Sequence, residues 1–209
     1  MSPAALRVAR RFLALAFAAA PLALLAACAG PPALSSSDAR TELQTLQATV
    51  ERTRLQFNRA AGALADVGDD WDTDPDRSIA GFSREIAALE SRVREAAAPG
   101  DDRILAAWNE RLRAARAVEL AAAPDDAAPG ADRALGRAED LLADLQESLS
   151  PVFSRFLDLK AAFVIDSSIE TVEDHLTEIR RAVGSSRETT RRFDRLAEQL
   201  ELLSREPRG

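Results

Sequence analysis

Residues able to do chemistry are scarce in this chain, which has 209 residues with one cysteine, one histidine and no tyrosine. The thiol, Cys28, directly follows Leu25-Ala26-Ala27 at the end of an apolar run. The histidine, His175, neighbours Leu176 on a charged stretch, with Glu173 and Asp174 beside it in sequence. Adjacent helical positions do not face each other, so it has no partner for catalysis or metal binding and reads as a surface residue. Carboxylates are more promising. Asp70, Asp72, Asp74 and Asp76 alternate like the ligands of a calcium loop, but Pro75 stands where that loop needs Gly and Gly81 where it needs a bidentate Glu. Residues 69–76 therefore read first as a solvated, helix-capping turn and second as a weak cation site.

Other side chains that could bind or react have plainer readings. Trp108 falls at heptad spacing and reads as core, and Trp71 lies in the acidic turn. Arg180, Arg181 and the arginines of 187–195 alternate with Glu188 and Asp194, the pattern of a salt-bridged exposed face and, second, of a partner surface. Nothing supplies a nucleophile, a base and an orienting group together, so the chain reads as non-enzymatic, with no cofactor and no metal centre.

The elements that position these residues begin with the N-terminus. Residues 1–27 carry Arg7, Arg10 and Arg11, no acid, an apolar run from Phe12 and a small-residue end. These are the parts of an export signal. The stretch is Ala-rich and holds Pro21, which favours removal over a membrane span. Leu at −3, Ala26 and Ala27, and Cys28 at +1 resemble the lipobox of bacterial lipoproteins. That resemblance implies cleavage between Ala27 and Cys28, a diacylglycerol on the thiol and acylation of the new amino group. Buried acyl carbons contribute about 0.8 kcal/mol each, so several chains anchor firmly. Ala29 at +2, rather than Asp, favours the outer membrane, with the protein facing the periplasm.

Without the three signal arginines the chain has 24 basic and 34 acidic residues, a net charge near −10. That excludes nucleic acid as a natural partner and gives no electrostatic adhesion to anionic lipid. Residues 28–37, the acylated cysteine and an aperiodic Gly/Pro/Ser stretch, read as a tether.

From 38 to 206 the chain reads as one all-α domain, an elongated antiparallel bundle of about five coiled-coil-like helices. Leu43, Leu46, Val50, Thr53, Phe57, Ala60, Leu64 and Val67 follow alternating steps of three and four. Gly68 ends that segment, and Asp74-Pro75 suits an N-cap with proline at the first helical position. The rhythm returns at Ile79, Phe82, Ile86, Leu89, Val93 and Ala96, stops at Pro99-Gly100, and resumes at Leu105, Trp108, Leu112 and Ala115. Asp101 or Asp102 can cap this third segment, and residues 124–130 read as the clearest loop. The fourth helix runs from Leu135 to Phe163 straight through Pro151. Ser167 with Glu170 forms a capping box for the last helix. There Ile169, Val172, Leu176, Ile179, Val183, Ser186, Thr190, Phe193, Ala197 and Leu200 form the seam. The polar Ser186 and Thr190 predict looser packing in its C-terminal half.

Leu149-Ser150-Pro151-Val152-Phe153, then Phe156, Leu157 and Asp158-Leu159-Lys160, resemble an uncharacterised family of helical bacterial lipoproteins, as do Trp108 with Leu112 and the Asp-rich turn. The likeness covers most of the chain after the signal. It departs at Lys160-Ala-Ala-Phe163-Val-Ile165-Asp, where that family tends to be polar. The family implies the helical fold and no activity.

The expected function is a lipid-anchored periplasmic spacer, scaffold or adaptor, with a protein partner or self-association through the helices. The alternative is a bundle that holds a small ligand or cation.

Overall fold

The computed structural model describes residues 36–97, 105–124 and 127–205. Cys28, Ala27, the signal, tether residues 28–35 and the candidate caps Asp101 and Asp102 lie outside the described residues, while Ser36 and Ser37, expected in the tether, open α1 instead.

Five helices form: α1 (Ser36–Asp69), α2 (Pro75–Glu95), α3 (Ala106–Ala122), α4 (Ala128–Ile165) and α5 (Ile169–Arg205). No strand occurs among the described residues. The reason lies in the three-four spacing, which gives each helix one apolar stripe that only neighbouring helices can cover. The seams expected for α1, α2, α3 and α4 are buried at every position.

Cross-helix pairs fix the directions. Asn58 with Thr190 and Gln47 with Ser204 set α1 antiparallel to α5. Ser148 with Thr189 and Ala134 with Gln199 set α4 antiparallel to α5. Descending α4, Lys160 meets Glu90, Gln146 meets Asn109, and Glu139 meets Arg116. Partner numbers therefore rise continuously from α2 into α3, and the Ala107 N–H donates to the Ala96 carbonyl at 3.0 Å. So α2 and α3 run end to end in one direction. The result is a four-position, up-down-up-down bundle in which α2 and α3 share one position. At 1.5 Å per residue, the 34-residue α1 is about 50 Å long.

The middle of the core is aromatic. Phe57 of α1 stacks on Phe156 of α4 with centroids 5.8 Å apart, and Phe193 of α5 lies 5.7 Å from Phe57. Phe82 of α2 meets Phe156 and Phe163 edge-on. All four positions thus contribute rings at offset or tilted geometries, which are favoured over face-to-face sandwiches. Gly68 is needed where α1 approaches α5, because a Cβ there would lie 3.0 Å from Ile179 Cγ2. Leu105, just before α3, is fully buried at a left-handed φ of 66°. A non-glycine residue adopts that backbone at a cost of about 1–2 kcal/mol, offset here by burying the leucine.

Several expectations are corrected. The α5 seam passes through Ala182 and Thr189, both fully buried, whereas Val183 and Thr190 are half-buried and Ile169 is exposed. Phe193, Leu196, Ala197 and Leu200 are buried too, so the C-terminal half of α5 is closed over, contrary to the looser packing expected. The α5 cap is Ser168, not Ser167: its hydroxyl accepts the Thr171 N–H at 3.3 Å, and Asp166 accepts from the Ser168 N–H and the Thr171 hydroxyl. Pro129 and Gly130 belong to the first turn of α4 rather than to a loop. Pro151 leaves α4 unbroken. Both Pro151 and Glu147, whose carbonyl loses its helical donor, are exposed, so water can replace the bond.

Candidate functional site

The α1–α2 turn is built by its own backbone. The N–H groups of Thr73 and Asp74 both donate to the Asp70 carbonyl at 3.1 Å, and the Asp74 carboxylate accepts the Arg77 N–H at 3.3 Å with Pro75 in the first helical turn. The expected Asp74 cap is present. The expected cation site is not assembled. Asp70 and Asp74 line an open groove beside Asp66, Arg77 and Arg84, while Asp72 and Asp76 lie outside it. Alternate residues of a turn diverge, and Asp74 is committed to its cap. Among the described residues no group of three or more His, Cys, Asp or Glu side chains could hold a metal ion.

His175 is half-buried. Its Nδ1 lies 2.8 Å from the Thr171 carbonyl, so that nitrogen donates, and its ring meets Phe163 edge-on at 6.0 Å. It is a packed helix residue rather than the free surface residue expected. Trp108 is core, as its spacing implied, and Trp71 packs half-buried against the core.

The arginines divide. Arg191, Arg192 and Arg195 share one carboxylate, Glu188. Arg54 spans to Asp194, and Arg116 holds Asp132 and Glu139. Hydrogen bonds that the guanidinium groups donate to those carboxylates, chiefly from Arg54 to Asp194 and from Arg116 to Asp132, raise both guanidinium pKa values further. Arg180, Arg181 and Arg187 make no ion pair among the described residues; Arg180 and Arg187 flank a shallow α1–α5 groove over Gly68 and Gly184. The expected salt-bridged face is therefore present around Glu188 and absent nearer the start of α5.

The α4–α5 turn is apolar and exposed, which the residue spacing does not predict. At the α4–α5 turn Val164 is 71% exposed, Ile165 86% and Ile169 42%. They follow Phe163, which is buried, so the last turn of α4 leaves the core while its composition stays apolar. The same stretch of chain carries Asp166, Glu170, Glu173 and Asp174, with no Lys or Arg between 161 and 179. The Asp166 carboxyl is held below its ordinary pKa by the Thr171 hydroxyl and then by Ser168. The α1–α2 turn closes the same end of the antiparallel bundle and brings Asp69, Asp70, Asp72, Asp74 and Asp76.

The heptad seams are turned inward along α1 to α4. Those stripes are used within the bundle, whereas Ile169 of the expected α5 seam stays exposed. Set against protein-family models, curated proteins and solved structures, the chain matches none of them.

Proposed function

We propose that this protein is a lipid-anchored, non-enzymatic adaptor or spacer of the bacterial envelope, facing the periplasm and held by acyl chains on Cys28. The observation that carries the reading is Leu25-Ala26-Ala27-Cys28 behind a basic and then apolar N-terminus. The sole cysteine of the chain occupies the position where acylation is done. The helical domain agrees with a mechanical role. Its interior is filled by Leu, Phe, Val, Ile and Ala side chains, and α1 alone reaches about 50 Å from Ser36 to Asp69. No described helix is long and apolar enough to cross a membrane, which leaves the N-terminal segment to provide attachment. Ala29 favours the outer membrane.

Fractionation of cells expressing the full chain tests this. The protein is expected in the membrane fraction after a high-salt wash and to be released by detergent. Release of wild-type protein by salt alone overturns the reading, because acyl chains are insensitive to ionic strength whereas surface electrostatics are not.

A further inference from the structure

We infer that the α4–α5 turn is a docking surface for a cationic, apolar segment of a partner protein. The inference specifies the partner side of the adaptor reading and rests on that reading, but it does not depend on the anchor. The described chain has five large exposed hydrophobic residues, and three of them, Val164, Ile165 and Ile169, crowd into this turn. Exposed apolar groups rimmed by polar ones mark contact sites when nothing in the fold requires them. Nothing here does. Val164 and Ile165 end α4 after Phe163 has entered the core, and neither caps a helix nor fills a gap.

The charge around them selects the occupant. Asp166, Glu170, Glu173, Asp174 and Glu178 fall between 161 and 179, a stretch without Lys or Arg; Arg180 and Arg181 follow it along α5, further from the turn. Asp166 is explained by its cap and Glu170 by the helix N-terminus. A helix dipole acts only within its first turn, so it does not account for Glu173, Asp174 and Glu178. Lys160, the nearest lysine, is occupied by Glu90 at 2.8 Å. A surface of this kind repels an anionic bilayer and repels its own copy. It attracts a segment with Lys or Arg on one side and aliphatic residues on the other, the ordinary chemistry of an amphipathic helix docking by its apolar face.

The test uses the full chain in phosphatidylcholine nanodiscs, titrated with a fluorescent amphipathic helical peptide of Leu and Lys and with its Leu and Glu counterpart. The Leu/Lys peptide is expected to bind, with affinity falling as salt rises, and the Leu/Glu peptide is not. Val164→Ser/Ile165→Ser is expected to weaken Leu/Lys binding at least tenfold. Leu55→Ser, which removes a half-exposed leucine from the side of the bundle, is expected to change it less than twofold. Circular dichroism melts confirm that each variant is folded. Equal binding by wild type and the turn variant overturns the inference, as does an equal loss in Leu55→Ser. A photocrosslinker at 165 that, in nanodiscs to which phosphatidylglycerol has been added, labels that lipid or a second copy in place of the peptide also overturns it. Failure here leaves membrane attachment untouched, and salt-releasable protein leaves peptide binding untouched, so the two readings fail separately.

Discussion

The hydroxyl oxygens of Ser148 on α4 and Thr189 on α5 lie 2.6 Å apart, hydrogen-bonded to each other between the two helices. Thr189 is fully buried, and Ser186, one turn earlier on the same seam, is 4% exposed. This pair explains why the α5 seam runs one residue away from the spacing expected. Thr189 faces inward because Ser148 satisfies it, and Thr190 turns out to Asn58. Replacing Thr189 by Val strands the Ser148 hydroxyl and is expected to cost about 1–3 kcal/mol. Ser148→Ala in the same background is expected to recover part of that loss, so that the double variant costs less than the two single changes together. Urea denaturation of the four proteins measures this; strict additivity would show that the pair is not coupled.

Phe57 touches both Phe156 and Phe193 and is fully buried. Phe57→Ala is expected to destabilise by about 3–5 kcal/mol through lost transfer energy and a cavity that the surrounding helices only partly close. A loss below about 1 kcal/mol would mean that the aromatic cluster does not hold the middle of the bundle.

Asp166 ties the α4–α5 turn together through Ser168 and Thr171, and its pKa is lowered in the folded chain. A carboxyl with a depressed folded pKa stabilises above its unfolded value, about 3.8 for this group, and that contribution disappears as pH falls through the folded value. Asp166→Asn is therefore expected to melt lower than wild type at pH 7, with the difference closing below pH ~3.8. A gap that persists or widens in acid would contradict the assignment.

The fold was largely legible because a three-four repeat dictates which face each helix must hide, and positions such as Leu64, Ile86 and Leu142 obeyed it without exception. Direction was less legible. Pro99-Gly100 announces an interruption, but whether the chain reverses there depends on what α4 offers on either side, Glu139 and Gln146 for α3 and Lys160 for α2. The α4–α5 turn was placed to within one residue, but its exposed apolar side chains could not be read. Val164 and Ile165 resemble a continuation of the Phe156–Phe163 stripe, and only the end of the bundle decides that they meet water. The acidic turn was legible as a helix cap at Asp74; alternation along the chain suggested the second reading, a cation site, and alternation alone does not bring carboxylates together.

Since the four aspartates do not converge, millimolar calcium is expected to leave the thermal midpoint unchanged. A ligand that binds only the folded state at 100 times its Kd adds about 2.7 kcal/mol, so a real site would show as a shift of several degrees. Such a shift, abolished by Asp70→Asn/Asp72→Asn, would restore the cation reading.

The proposed role depends on a lipid carried by Cys28. Metabolic labelling of the full chain with an alkyne fatty acid, followed by peptide mapping, is the direct test. Label is expected on the peptide that begins at Cys28, with complete loss in Cys28→Ser. An unlabelled wild-type protein, or label retained in the serine variant, would rule out acylation at Cys28.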